Sequence, residues 1–363
     1  TSTSTGSFSG TLLLGSSSLP FKGLLTISPQ ADPTGKALIK RGKKPTLDLS
    51  FTLYRASRDM EVILKQDDET MTFKARLPTV NPAAYTGPYT MAMKLASGDL
   101  EQPLNPAGHS VGAFKISSFG TTSGVLRLAD GSSALTFSGA VGDDGSVPVF
   151  ALLYAKTGSL LGDIKINTAN DRSLSESTLN WFKKPQTSGR SYPQGFGPLD
   201  LRTVAKKYDI PLAGSPPLSL SVIEESDRAS LRFSHGGVPN PELRLDWSSF
   251  EIQPGSPAKV LPPESNPGLL KITITPGSGT VFTTGKTGSF SGSFILTDTD
   301  TSVTPNKDLQ RSATFTGMIV DDGNGRKGYG FFNLAEMPTA SPKTTSSTTR
   351  RLSGQVELSV TPP

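Results

Sequence analysis

The segments SFSGSFIL at residues 289–296 and ATFTGMIV at residues 313–320 carry the pattern that best indicates the fold of this chain. In both segments a phenylalanine stands two positions before a glycine. Side chains alternate between the two faces of a strand, so the ring and the glycine share one face. A ring can then lie over bare backbone of its own strand or of a neighbour, and the missing Cβ lets the strand coil sharply. The two segments therefore predict strongly coiled antiparallel strands.

The same order of strands recurs along the chain. The last copy continues with segments 328–332 and 352–358, and the middle copy covers 123–128, 135–141, 147–153 and 160–166. The first copy begins at 6–14 and 20–25 and departs from the pattern at 47–51. The aromatic and glycine positions of the repeat are Phe8, Gly10, Phe21, Gly23, Phe137, Gly139, Phe290, Gly292, Phe315, Gly317 and Gly354. We interpret these segments as repeated four-strand units.

Short apolar segments separated by turns fill the rest of the chain. Its 363 residues include 37 Gly and 29 Pro, and apolar segments at regular spacing indicate about twenty strands. A sheet of that size curls closed or splits into layers, because long open edges invite aggregation. We therefore expect an all-β protein with two antiparallel β-barrels or strongly coiled β-sandwiches built from the Phe-x-Gly units. A solenoid is the alternative architecture. We expect one short helix or none, and residues 200–208 are the best candidate for it.

Proline-rich segments suggest the division into domains. The segment 211–217 holds three prolines and no hydrophobic periodicity, which is typical of a semi-rigid linker. We predict a first β-barrel region at 1–210 with two repeat units. A second β-barrel region with one unit follows at 218–363.

Composition excludes several functional classes. The chain has no cysteine, which rules out disulfides and thiolate metal sites. No apolar run is long enough to span a bilayer as a helix. The net charge is only +5, and the basic residues fall at turns rather than beside stacking aromatics, so we predict no nucleic-acid binding. We expect no cofactor, although an anionic polysaccharide remains a candidate partner.

Two histidines and two acidic pairs are the candidates for chemistry. His109 and His235 both lie in glycine-rich turns, and neither has a second histidine at metal-ligand spacing. The pairs Asp143-Asp144 and Asp321-Asp322 each follow a Phe-x-Gly strand, where clustered carboxylates suit a cation. The competing and favoured interpretation is a tight turn, because Asp-Gly between apolar strands is a strong hairpin signal. We therefore expect no enzymatic activity.

Aromatic residues offer a second route to function. Trp181 is followed closely by Tyr192 and Phe196, and rings of this kind stack on sugars when they are exposed. In an all-β chain with two tryptophans, burial in a core is the safer interpretation.

These residues also carry a resemblance. The segments Asn180-Trp181-Phe182-Lys183-Lys184-Pro185 and Tyr192-Pro193-Gln194-Gly195-Phe196, with the later run from residue 287 to 358, resemble an uncharacterised C-terminal β-rich module of large secreted or surface proteins of Verrucomicrobia-type and Planctomycetes-type bacteria. The resemblance covers most of the chain. It implies an exported, non-catalytic module, located outside the cell or on its surface, and it brings no catalytic residues with it.

Two functions follow as expectations. The first is a structural or assembly module that associates with itself or with other cell-envelope proteins. The alternative is a carbohydrate-binding module that uses exposed aromatic residues.

Overall fold

The computed structural model describes residues 6–14, 17–56, 58–169, 173–174, 177–209, 228–238, 243–246, 258–260, 269–275 and 288–361. Strand accounts for 64% and helix for 4% of the structure, which confirms the all-β prediction. The strands form three antiparallel sheets that make one nearly closed barrel and two half-barrels. The equivalence of the four-strand units stays a prediction.

The N-terminal sheet is a half-barrel of six strands that follow one another in chain order. Its strands are β1 (Ser7–Leu14), β2 (Ser17–Ser28), β3 (Ala31–Arg41), β4 (Lys44–Leu53), β5 (Asp59–Gln66) and β6 (Glu69–Arg76). Each strand pairs with its neighbour through a short turn, so the sheet is a meander with β1 and β6 at its two ends.

The central sheet forms the nearly closed barrel. Its strands are β7 (Gly87–Leu95), β8 (Ser110–Ile116), β9 (Thr121–Arg127), β10 (Leu135–Ala140), β11 (Ser146–Leu153), β12 (Gly158–Asn167), β13 (Ser173–Leu174), β14 (Ser177–Lys183) and β15 (Phe196–Lys207), with a short helix α1 (Ser97–Leu100) between β7 and β8. The last strand pairs with the first, β15 with β7, while β10 and β11 lie side by side at the remaining gap. The helix expected at 200–208 is wrong, because that segment pairs with both β7 and β14 as part of β15.

The C-terminal sheet has eight strands. They are β16 (Arg228–His235), β17 (Leu243–Asp246), β18 (Ala258–Val260), β19 (Leu269–Thr275), β20 (Ser289–Asp300), β21 (Lys307–Asp321), β22 (Arg326–Ala335) and β23 (Arg351–Thr361). The first strand β16 pairs with the last strand β23, and the order then runs through β22, β21, β20 and β19 to β18. The predicted linker at 211–217 lies outside the described residues.

The Phe-x-Gly segments act across strands. Each phenylalanine of these segments stands opposite a glycine of the neighbouring strand, and Phe332, which lies outside a Phe-x-Gly segment, stands opposite Gly354 in the same way. The other such pairs are Phe8 with Gly23, Phe21 with Gly10, Phe137 with Gly124, Phe290 with Gly317, and Phe315 with Gly292. From alternation alone, each ring could cover a glycine of its own strand or a glycine of the adjacent strand. The observed register shows that it covers the glycine of the adjacent strand. Gly139 is the exception, since it stands opposite Thr122 and has no ring over it.

Two of the three sheets share a core. Met318, Val320 and Tyr329 of the C-terminal sheet belong to the same large apolar cluster as the buried side chains of the central barrel. The N-terminal sheet has its own small buried cluster of Ile39, Leu47, Leu49, Val62 and Leu64. The half-barrel at the N-terminus is therefore the least enclosed part of the described fold.

Candidate functional site

The three aromatic residues expected to bind a sugar lie inside the central barrel. Trp181, Tyr192 and Phe196 are all buried. The Phe196 ring meets Trp181 and Tyr192 edge-on, with centroid distances of 4.6 and 5.8 Å. An exposed stacking platform is therefore not available from these rings, because their faces are used for packing.

A buried polar cluster that sequence reasoning missed surrounds Trp181. The indole Nε1 donates a hydrogen bond to Tyr154 Oη at 3.0 Å. Lys183 Nζ donates to the Ser191 carbonyl at 2.6 Å, lies 3.8 Å from Asp130 Oδ2 and sits 4.5 Å from the centre of the Tyr154 ring. Burial lowers the pKa of Lys183 against the opposing effect of Asp130. No local spacing links these residues, so only the closed barrel brings them together.

The acidic pair Asp143-Asp144 is engaged on both residues. Asp143 accepts hydrogen bonds from Arg58 Nε at 3.0 Å and from the Val80 amide at 3.2 Å, which ties the N-terminal sheet to the central sheet. The pKa of Asp143 is lowered by the Thr79 hydroxyl first, and also by Val80 and Arg58. Asp144 accepts from both the amide and the hydroxyl of Ser146, which is a turn stabilised by its own side chain.

The pair Asp321-Asp322 is engaged in the same way. Asp321 accepts from the Gly323 amide at 2.9 Å and lies 3.4 Å from Lys206 Nζ of the central sheet. Asp322 accepts from Tyr329 Oη at 2.7 Å and from Lys327 Nζ at 3.2 Å. Burial alone would raise the pKa of Asp322, but the Tyr329 hydroxyl and Lys327 outweigh it and lower the pKa. These contacts favour the turn interpretation over a cation site.

No metal centre is visible in the part of the chain that the structure describes. Within it, no three or more His, Cys, Asp or Glu side chains converge in a way that suits an ion. None of the helices in the same part has the length and apolar character that crossing a lipid bilayer requires.

His109 is a contact between the central and C-terminal sheets. Its Nε2 lies 3.1 Å from Glu357 Oε1, and its amide donates to the Gly330 carbonyl at 3.1 Å. Burial lowers the pKa of His109 against the effect of Glu357, and its Nδ1 is buried without a hydrogen-bond partner. A neutral ring protonated at Nε2 satisfies Glu357, whereas a proton on Nδ1 would have no acceptor. His235 lies near enough to contribute to the lowering of the His109 pKa. It stands opposite Gly354 of β23, its Nδ1 lies 3.1 Å from Ser234 Oγ, and it forms part of the wall of a cavity of about 250 Å³.

The N-terminal half-barrel presents an accessible apolar surface. Its concave groove, about 460 Å³ in volume, is lined by Phe8, Leu12, Phe51, Met60, Val62 and Phe73 among others. Fourteen large hydrophobic residues are exposed in the described chain, and eight of them belong to this sheet or its turns. Phe73 lines the groove, whereas Leu24 and Leu38 alternate with groove-side or buried neighbours and stand on the opposite face. Exposed apolar surface of this kind is typical of an interaction site.

Strand β6 forms one rim of this groove. Met71 is 59% exposed and Phe73 38% exposed. Among the described strands, β6 pairs only with β5. Its second edge therefore offers backbone groups beside an apolar surface, the arrangement that strand addition needs. Sequence reasoning did not find this site, because nothing in the β6 sequence says how many strands lie beyond it.

No protein-family model, curated protein or solved structure matches this chain. The resemblance to modules of large exported bacterial proteins therefore stays a prediction.

Proposed function

We propose that this protein is a non-catalytic structural module of an exported bacterial surface protein, and that it assembles through the groove of its N-terminal half-barrel. The main support for this proposal is the apolar concave face of that sheet together with strand β6 at its rim. An antiparallel sheet commonly buries one face and solvates the other. Here the lining of the groove is mostly apolar, and most of its side chains remain partly exposed.

The groove has the chemistry of an interaction surface. Its lining is dominated by aromatic and branched aliphatic side chains, with Ser9 and Thr11 as the polar members. Covering apolar area contributes about 25 cal/mol per Å², so covering on the order of 100 Å² of this lining favours association by about 2.5 kcal/mol before entropy is subtracted. Assembly is thus the expected use of the surface.

The state of the reactive side chains supports a non-catalytic role. His109 holds two sheets together, and Lys183 is buried beside Asp130. Asp143 and Asp322 each accept more than one hydrogen bond within the chain. Groups held in this way stabilise the fold rather than face a substrate.

Sedimentation velocity of the whole chain over a wide concentration range tests the proposal. We expect concentration-dependent association that weakens in Phe73→Glu, since a charge on the groove wall opposes burial. The matched control is Phe119→Glu, because Phe119 is 84% exposed on the turn between β8 and β9, away from the groove. A strictly monomeric protein at high concentration, or association that is equally weakened by both variants, would contradict the proposal.

Carbohydrate binding is the alternative function. It gains no support from the burial of Trp181, Tyr192 and Phe196.

A further inference from the structure

Among the described strands, β6 is a sheet edge that pairs on one side only, with β5. It runs in unbroken register with β5 from the Asp59–Arg76 pair to the Gln66–Glu69 pair, so it carries no bulge. Its sequence ETMTFKAR contains no proline. Proteins commonly protect an edge with a bulge, a proline or charged side chains; β6 has neither bulge nor proline, and its charges include Glu69 and Lys74. This edge is therefore competent to pair with another strand.

The charges along β6 are arranged with opposite signs at its two ends. Asp67, Asp68 and Glu69 stand at its start, while Lys74 and Arg76 stand near its end. Antiparallel pairing of a strand with its own copy places the start of one strand against the end of the other. The acidic end of β6 thus meets the basic end of a second β6, which makes this edge self-complementary.

One register fits the side chains as well as the charges. Phe73 and Ala75 line the groove, and Met71 shares their face by alternation, while Thr72 and Lys74 lie on the other face. A two-fold axis at Thr72 places Met71 opposite Phe73 of the partner subunit. A shift by one residue would set groove residues against the outer face.

The same register uses both ends of the strand. Asp68 stands opposite Arg76 of the partner subunit, and Lys74 lies diagonal to the partner's Asp68, within reach of long side chains. A shift by two residues toward the start of β6 would instead place Glu69 opposite Phe73 of the partner subunit. That arrangement sets a carboxylate against an aromatic ring and is disfavoured.

We propose that two copies of this chain join by antiparallel pairing of β6 with β6 about a two-fold axis at Thr72. The two N-terminal half-barrels then form one continuous twelve-stranded sheet with a shared apolar face. Two-fold dimers of this kind are the commonest closed assemblies. The inference rests on the proposed function and names its partner as a second copy of the same chain.

Charge exchange tests the register. In sedimentation equilibrium, Lys74→Glu and Asp68→Lys are each expected to weaken the dimer about tenfold, because each places like charges together at two symmetric positions. The double variant restores opposite charges only at the diagonal pair, because the new lysine at position 68 still faces Arg76 of the partner subunit. It should therefore form a tighter dimer than Asp68→Lys alone, while remaining weaker than the unaltered protein. Lys36→Glu is the control, since Lys36 is exposed on β3 in the interior of the same sheet.

Cysteine crosslinking gives an independent readout, because the chain contains no cysteine. Cα atoms directly opposite one another in an antiparallel pair lie about 4.5 to 5.5 Å apart, within the range of a disulfide. Thr72→Cys is exposed at the proposed axis and should form an intermolecular disulfide at least about tenfold faster than the Lys36→Cys control.

The outcomes separate this inference from the proposed function. If association persists and is weakened by Phe73→Glu but is indifferent to the charge exchange, and Thr72→Cys crosslinks no faster than the control, the β6 pairing is overturned and the assembly function stands. If the protein captures a strand of a different protein and never dimerises, the pairing is overturned as well. Absence of any association overturns both.

Discussion

Replacing Gly354 with alanine is expected to destabilise the C-terminal sheet by about 2 kcal/mol. A Cβ on Gly354 would collide with the Phe332 ring and lie 2.6 Å from the Ser234 carbonyl oxygen, well inside the normal contact distance of about 3.5 to 4.0 Å. Phe332 is fully buried against Phe233 and Phe294, at centroid distances of 6.0 and 5.2 Å, so the ring cannot step aside without disturbing both.

The magnitude is a balance of three contributions. Overpacking a dense core costs about 2 kcal/mol. Disturbing the two aromatic pairs costs about 1 kcal/mol more in total. Alanine recovers about 0.7 kcal/mol, because glycine in a strand loses more conformational entropy on folding. The net cost is about 2 kcal/mol, which lowers the urea midpoint by about 1 M for a typical dependence on denaturant.

Urea unfolding followed by circular dichroism measures this cost. Gly139→Ala is the matched control, because Gly139 also lies in a Phe-x-Gly strand but a Cβ there would meet only Pro148 at 3.6 Å. We expect the control to be neutral or slightly stabilising. Phe332→Leu combined with Gly354→Ala should cost less than the sum of the two single changes. An unchanged midpoint for Gly354→Ala, or fully additive costs, would refute the account of rings packed over glycines.

Three further predictions concern the residues singled out for chemistry. Burial lowers the pKa of His109, so below about pH 6.5 the unfolded chain takes up a proton that the folded chain does not. Stability should fall by up to about 1 kcal/mol per pH unit as the pH drops from that value, and urea midpoints in His109→Gln should show a smaller pH dependence. Trp181→Phe removes the hydrogen bond to Tyr154 and should lower stability by about 2 kcal/mol. On a glycan array, we expect the Trp181→Phe variant to bind no differently from the unaltered protein. Glycan binding by the unaltered protein that is lost in the folded variant would favour the carbohydrate alternative. Calcium should not raise the melting temperature, because Asp143 already accepts hydrogen bonds from Arg58 and Val80; a saturable rise that disappears in Asp143→Asn would show a cation site.

The N-terminal half-barrel differs from the central barrel in the pairing of its end strands. In the central barrel the first and last strands pair, which removes two edges. In the N-terminal sheet the ends of the strand order are β1 and β6, and the core between them is small. Association through β6 would reduce the number of exposed edges in the way that closure does within one chain.

Strand character and tight turns depend on residues that are neighbours along the chain, so both could be predicted from the sequence. Alternation of apolar and polar residues has a period of two whatever the tertiary structure, so the all-β class could be predicted from segments such as 289–296 and 313–320. The Asp-Gly turns could be predicted for the same reason, since Asp144 and Asp321 bond to backbone two residues ahead.

Strand pairing, closure of the barrel and contacts between distant residues could be seen only in the tertiary structure. Residues 200–208 became a strand because β7 and β14 pair with them on both sides. Trp181 is enclosed because the central sheet closes, and His109 meets Glu357 although 248 residues separate them. The open face of the N-terminal sheet depends on how many strands the sheet contains, and a local pattern cannot count them. Register and closure are set by long-range pairing, so they lie beyond what alternation along one strand can specify.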